Sequence, residues 1–207
     1  MLRSDAQRNR ALLIESACRL IAETGSDDVS ARDIADYAGV SSATLYRHFA
    51  SKQALVDEIS VDRWRRATSW ASANGAEALQ DIVNLLDRFS SMVSGDARFI
   101  AAAGLQVGQT PTAIAPVRRL FDERFGALWA RARATGEIRQ WADPIDTMEL
   151  VWAIRTQERR LPMLATIIGG IAAPGAEVEL MLRRAQSSRH AFQPVSAALR
   201  PGASLHS

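Results

Sequence analysis

Apolar residues recur over the first two dozen positions at the spacing of one helix face. Leu13, Ala17, Leu20 and Ile21 fall at i, i+4, i+7 and i+8, the stripe an amphipathic helix buries. The pattern predicts a helix over 6–24 that stops at Gly25. Ser30 with Asp33 three positions on reads as an N-cap and its box partner, opening a short helix over 31–38 that Gly39 ends. Val40 comes next as a buried plug, and Ser41 caps a third helix over 42–48 whose inward side chains are Leu45 and Phe49. Ser51 caps a longer fourth helix running through Ala54, Leu55, Ile59 and Trp64 toward Trp70.

Past Asn74-Gly75 the same period continues. Amphipathic segments are predicted over 76–93, over 99–107 as a short apolar piece, and over 117–135, where Gly136 stops the helix. Asp143-Pro144 has the form of an N-cap followed by an N1 proline and opens a helix over 143–160. Pro162 and Gly169-Gly170 are expected to break the chain beyond it, before a last helix over 176–191. Alternating β-branched runs are missing, so the expected fold class is all-α. A small N-terminal helix-turn-helix domain over 7–67 would precede a larger helical domain over 68–191. The remainder, 192–207, is rich in Pro, Gly and Ser with Arg200 its single charge, the composition of a disordered tail.

Charge and composition narrow the function classes. The net charge of +2 and a pI near 9.2 permit nucleic-acid binding without demanding it. Cys18 is the one cysteine, so neither an internal disulfide nor a cysteine-based zinc site can form, and no metal or cofactor is expected. No apolar run reaches the roughly 18 residues of a membrane span, and the first residues lack the apolar block of a signal peptide, so a cytoplasmic place is expected. HExxH, GxGxxG, the Walker A pattern and GxSxG are all missing, which leaves an enzyme little to work with.

The third helix carries the chemistry. Ser42, Ala43, Thr44, Tyr46 and His48 are free to face outward while Leu45 and Phe49 anchor the back. Small and polar residues on that face let a helix enter a major groove about 12 Å wide. Here the sequence resembles the TetR family of bacterial repressors. The resemblance runs over roughly 8–57, through Val29-Ser30-Ala31-Arg32-Asp33-Ile34-Ala35, Ala38-Gly39-Val40-Ser41, Thr44-Leu45-Tyr46-Arg47-His48-Phe49 and Ser51-Lys52-Gln53-Ala54-Leu55. It implies that Ser42 and Ala43 face bases, that Thr44 and Tyr46 touch phosphates or base edges, and that His48 approaches the backbone. It also implies that Lys52 holds a phosphate and that Arg32 reaches a base or phosphate. Arg47 reads as a solvated or salt-bridged side chain. From Met1 to Lys52 seven basic residues face seven acidic ones, so binding must rest on placement rather than on bulk charge.

For the larger domain the resemblance implies only architecture: a ligand cavity, and two late helices that pair with their copies in a homodimer. The helices over 143–160 and 176–191 are apolar on more than one stripe, which calls for burial of two faces. Met148, Val151, Trp152, Val178, Met181 and Leu182 are the expected dimer contacts. Trp64, Phe89, Phe99, Phe121, Phe125 and Trp129, with Gln106 as a polar anchor, are the expected pocket residues for a small apolar or amphipathic effector. The expected function is a ligand-responsive regulator that binds double-stranded DNA at a palindromic operator, with repression as the sign implied by the resemblance. An interaction protein that keeps the fold without binding DNA stays open because the small domain is formally neutral, and an enzyme acting on the pocket ligand stays open behind it.

Overall fold

The computed structural model describes residues 2–24, 29–72, 74–95 and 111–190. These form nine helices among the described residues: α1 (Leu2–Thr24), α2 (Ala31–Tyr37), α3 (Ser42–His48), α4 (Lys52–Trp70), α5 (Ala78–Gly95), α6 (Ala115–Ala134), α7 (Pro144–Trp152), α8 (Gln157–Ile171) and α9 (Val178–His190). The all-α expectation holds, the one extended pairing described being a lone bridge between Ile138 and Ala172.

The predicted caps are made. Ser30 Oγ accepts the Asp33 amide at 3.1 Å while the Asp33 carboxylate accepts the Ser30 amide at 2.7 Å, a reciprocal box that satisfies two otherwise orphaned donors. Ser41 and Ser51 accept the amides of Thr44 and Ala54 in the same way, at 3.2 and 3.0 Å. Asp143 takes the amides of Ile145 and Asp146 ahead of the N1 proline.

The small domain packs α1, α2 and α3 around Leu13, Ala17, Ile21, Val29, Ile34, Leu45 and Phe49, all buried. α4 leaves this bundle and runs into the larger one, where it lies against α6 and α5. α5 is the central strut, with contacts to α4, α6, α7, α8 and α9. Its Leu79, Ile82, Val83, Leu85, Leu86, Phe89 and Val93 are all buried, so it has almost no face left for solvent.

Two expectations fail. The helix predicted over 143–160 is two helices: Ile154 is fully buried as a plug at the corner after Trp152, and Thr156 turns extended at φ −130°, ψ 143° before α8 starts. Conversely, α8 runs through Pro162 and Gly169-Gly170. Pro162 lies early in α8, and the two glycines stand on an exposed flank. What stops α8 is tertiary pairing, since Arg139 N donates to Ile171 O at 2.8 Å and Ala173 N to Glu137 O at 2.9 Å. Backbone pairing with a remote loop leaves no periodic trace in a sequence. The tail expected over 192–207 and the short segment over 99–107 lie outside the described residues.

One buried charge pair crosses the larger core. Arg160 Nη1 on α8 donates to Asp87 Oδ1 at 2.5 Å, to Asp87 O at 3.1 Å and to Ser90 Oγ at 3.2 Å on α5. Arg160, Asp87 and Ser90 are all buried. Removing one charge strands the other in a medium that cannot solvate it. Asp87→Ala is therefore expected to lower unfolding free energy in urea by about 3–5 kcal/mol, and the paired replacement Asp87→Leu with Arg160→Met to recover most of that loss.

The α2 box gives a second prediction. The hydrogen bonds with the Ser30 side chain and then its backbone hold the Asp33 carboxyl below the ordinary aspartate range. A group so depressed contributes stability above its unfolded-state pKa and loses it as pH falls through the folded value. Ser30→Ala should cost about 1 kcal/mol at neutral pH. The gap between wild type and Asp33→Asn in thermal melts should close on acidification.

Candidate nucleic-acid interface

The turn between α2 and α3 sets the angle at which α3 is presented. Gly39 sits at φ +68°, in the left-handed region that side chains disfavour. The Val40 amide returns to Ala35 O at 3.0 Å. Behind α3, Leu45 and Phe49 are buried as anticipated. What α3 leaves outside is Ala43, Tyr46 and Arg47, all exposed, with Ser42, Thr44 and His48 half-buried beside them. Tyr46 is 56% exposed. That is much surface for a large ring, and it suits a side chain meant to meet a partner better than one meant to pack.

The remaining expected contacts differ in freedom. Thr44 Oγ1 lies 3.0 Å from Ser41 Oγ, so the hydroxyl is oriented by the cap. Arg32 is exposed on α2, with Nε 3.7 Å from the Asp36 carboxylate one turn on. An exposed pair of this kind contributes little stability and gives way readily to a phosphate. Lys52 is half-buried at the start of α4. His48 has its Nε2 enclosed without a hydrogen-bond partner among the described residues, and its ring lies 6.5 Å from that of Phe49.

Arg47, expected to be solvated or salt-bridged, is solvated. Exposed in the last turn of α3, it makes no ion pair with any described residue, and so its charge is uncommitted on the face that Tyr46 occupies. Several other basic side chains of the small domain are compensated: Arg8 by Asp5, Arg10 by Glu58, Arg19 by Glu15. The uncommitted charge is thus placed on the presented helix although the domain as a whole is neutral. A signal existed in the sequence, because no carboxylate stands three or four positions from Arg47.

In the larger domain the expected pocket residues that are described come together. Trp64, Phe89, Phe121, Phe125 and Trp129 are buried against one another, with centroid separations of 5.2 Å for Trp64–Phe121, 5.8 Å for Trp64–Phe89, 5.7 Å for Phe121–Phe125 and 5.5 Å for Phe125–Trp129. Among the described residues these rings pack on one another in the core of the larger domain. Arg118 stacks over Trp64 at 4.5 Å. Phe99 and Gln106 lie outside the described residues.

The expected dimer contacts already pack within the single chain. Met148, Val151, Trp152, Met181 and Leu182 are buried within the single chain, and Val178 is half-buried against the same core. The second apolar stripe of these helices is covered by α5 and its neighbours. Apolar surface that does stay open is next to them: Trp141 at 70%, Ile145 at 69% and Leu150 at 54% exposure. Trp141 and Leu150 border a groove of about 390 Å³ between α7 and α8, also lined by Met163, Ile167 and Gly170. Among the described residues, no helix is long and apolar enough to cross a membrane.

Comparison with known proteins agrees with this geometry. Residues 13–59 match the family model of bacterial regulatory proteins, tetR family. The HTH-type transcriptional repressor KstR2 of Mycobacterium tuberculosis is 37% identical over 83 residues, 40% of this chain and 40% of that protein. The match thus spans well under two thirds of that relative's length. Among solved structures, the TetR transcription regulatory protein from Mycobacterium vanbaalenii is 29% identical with a TM-score of 0.61, over 84% of this chain and all of that one (100%). The TetR family protein CprB from S. coelicolor A3(2), 22% identical, has the same fold with a TM-score of 0.65 over 87% of this chain and 98% of its own. Residues 13–59 thus form a domain that matches the tetR family of bacterial regulatory proteins, and the all-helical fold around it is one this chain shares with solved regulators of that name.

Proposed function

We propose that the protein is a ligand-responsive transcriptional repressor that binds a palindromic DNA operator as a homodimer and is released by a small apolar or amphipathic effector. The observation that carries this reading is the outer row of α3. Ala43, Tyr46 and Arg47 stand exposed on a helix whose back, Leu45 and Phe49, is locked into the small domain. Such a helix can enter the major groove with a small residue where the backbone comes close, and with a ring and a guanidinium placed for phosphates or base edges. Ser42, Thr44, His48, Lys52 and Arg32 complete the proposed contact set. The family match and the repressor names of the curated relatives support the sign. No catalytic role is assigned, and a cytoplasmic place follows from the proposed work on DNA.

The dimer would form on the open apolar face of α7 and α8 rather than on the residues first expected. A C2 pairing of that face would bury Trp141, Ile145 and Leu150 against the copy's groove and set two α3 helices about 34 Å apart. Effector coupling has a physical route as well. Trp64 belongs to α4, the helix continuous with the small domain, and its ring meets Phe89 of α5, Phe121 of α6 and Trp152 of α7. A ligand that wedges these helices apart moves α4, and it shifts the equilibrium only as far as it prefers the moved state.

The formal neutrality of the small domain favours a second reading, a protein-binding module on the same fold. Capture of genomic DNA fragments by the purified protein separates the two. One enriched palindromic site is expected, with affinity reduced about tenfold or more by Tyr46→Ala or Arg47→Ala and falling steeply with salt. Failure to enrich any fragment at low salt would favour the protein-binding reading. In sedimentation, Leu150→Glu is expected to convert dimer to monomer with the helix content intact, whereas Met148→Ala should act on stability.

A further inference from the structure

Arg10 is a basic residue of the small domain whose charge is used inside it. Its Nη2 donates to Glu58 Oε2 on α4. Its guanidinium carbon lies over the Phe49 ring, 5.0 Å from the centroid. Phe49 is the buried C-cap of α3: its amide closes the last turn on Leu45 O at 2.9 Å, and at φ −138°, ψ 124° it turns the chain toward Ser51, the cap of α4. One side chain from α1 therefore grips the end of α3 and the body of α4 together.

We propose that Arg10 is a positioning residue for the reading helix, acting through Phe49 rather than touching DNA; this rests on the DNA-binding reading above. α3 has seven residues, too few to hold a helical conformation alone. Its orientation is thus that of its anchors. Leu45 fixes the middle, and Phe49 fixes the end where His48 and Lys52 flank the corner. The guanidinium lies over the Phe49 ring as a cation–π partner, and the Glu58 pair holds it there. Lysine could keep the ion pair, but its compact ammonium covers the ring differently from a guanidinium.

The test uses the full chain with Arg10→Met and Arg10→Lys, a duplex selected by wild type from a randomised library, and native-state amide exchange. In Arg10→Met, exchange at the Phe49 amide and the last turn of α3 is expected to speed up while α2 amides keep their protection. Affinity for the selected duplex should fall about tenfold with the salt dependence unchanged, because no phosphate contact is lost. Arg10→Lys should fall between wild type and Met in both readouts.

A salt slope shallower by about one in Arg10→Met would make Arg10 a phosphate contact and overturn the proposal. Unchanged exchange in α3, or faster exchange across α1, α2 and α3 alike, would overturn it too, the latter by showing general support of the domain. If the Met variant does not fold, the Lys variant is read by the same criteria. If wild type selects no duplex, the DNA-binding reading fails, while the exchange pattern still decides whether Arg10 holds α3.

Discussion

Everything this chain presents to a partner depends on the burial of Leu45 and Phe49 behind a seven-residue helix. A peptide that short is not helical in water, because the cost of nucleating the first turn is not recovered over so few hydrogen bonds. The helix exists because Ser41 caps one end, Phe49 closes the other, and Leu13, Ala17, Ile21 and Ile34 supply the surface its back needs. Its outward residues are then free of structural duty. Ala43, Tyr46 and Arg47 can vary in chemistry without unfolding what holds them, which is the separation of roles a recognition surface requires.

The larger domain obeys a different constraint. α5 is buried on nearly every side, so the helices around it are fixed with respect to one another by a common centre. α4 belongs to this assembly through Trp64, Ala67 and Thr68 and to the small domain through its first turns. Any displacement of α4 within the core is therefore a displacement of the domain that carries α3. The buried pair of Asp87 and Arg160 adds a polar tie between α5 and α8, with geometry stricter than apolar packing imposes.

Range decides which features were legible in the sequence. Ser30 with Asp33, Ser41 with Thr44, Ser51 with Ala54 and Asp143 ahead of Pro144 act over two or three residues, and each cap could be read directly and is made in the structure. The extent of α3 was readable for the same reason. Features set by distant parts of the chain were not. The break after Trp152 depends on a pocket for Ile154, and the end of α8 depends on pairing with Glu137 and Arg139. Periodicity identified Met148, Val151, Trp152, Met181 and Leu182 as apolar and in need of cover, but it could not say whether a second chain or this one supplies the cover. The aromatic residues of α4, α5 and α6 posed the same ambiguity, and the structure resolves the described ones as rings packed on rings.

Hydroxyl-radical footprinting of the DNA fragment enriched by the wild-type protein tests the central claim most directly. If α3 is presented to the major groove by two copies of the chain, protection should appear as two patches related by the palindrome's dyad. They should be about one helical turn apart and fade together in Tyr46→Ala. Protection that is uniform along the fragment, or that survives loss of Tyr46 and Arg47 unchanged, would contradict the account by showing that DNA, where bound at all, is held by some other surface.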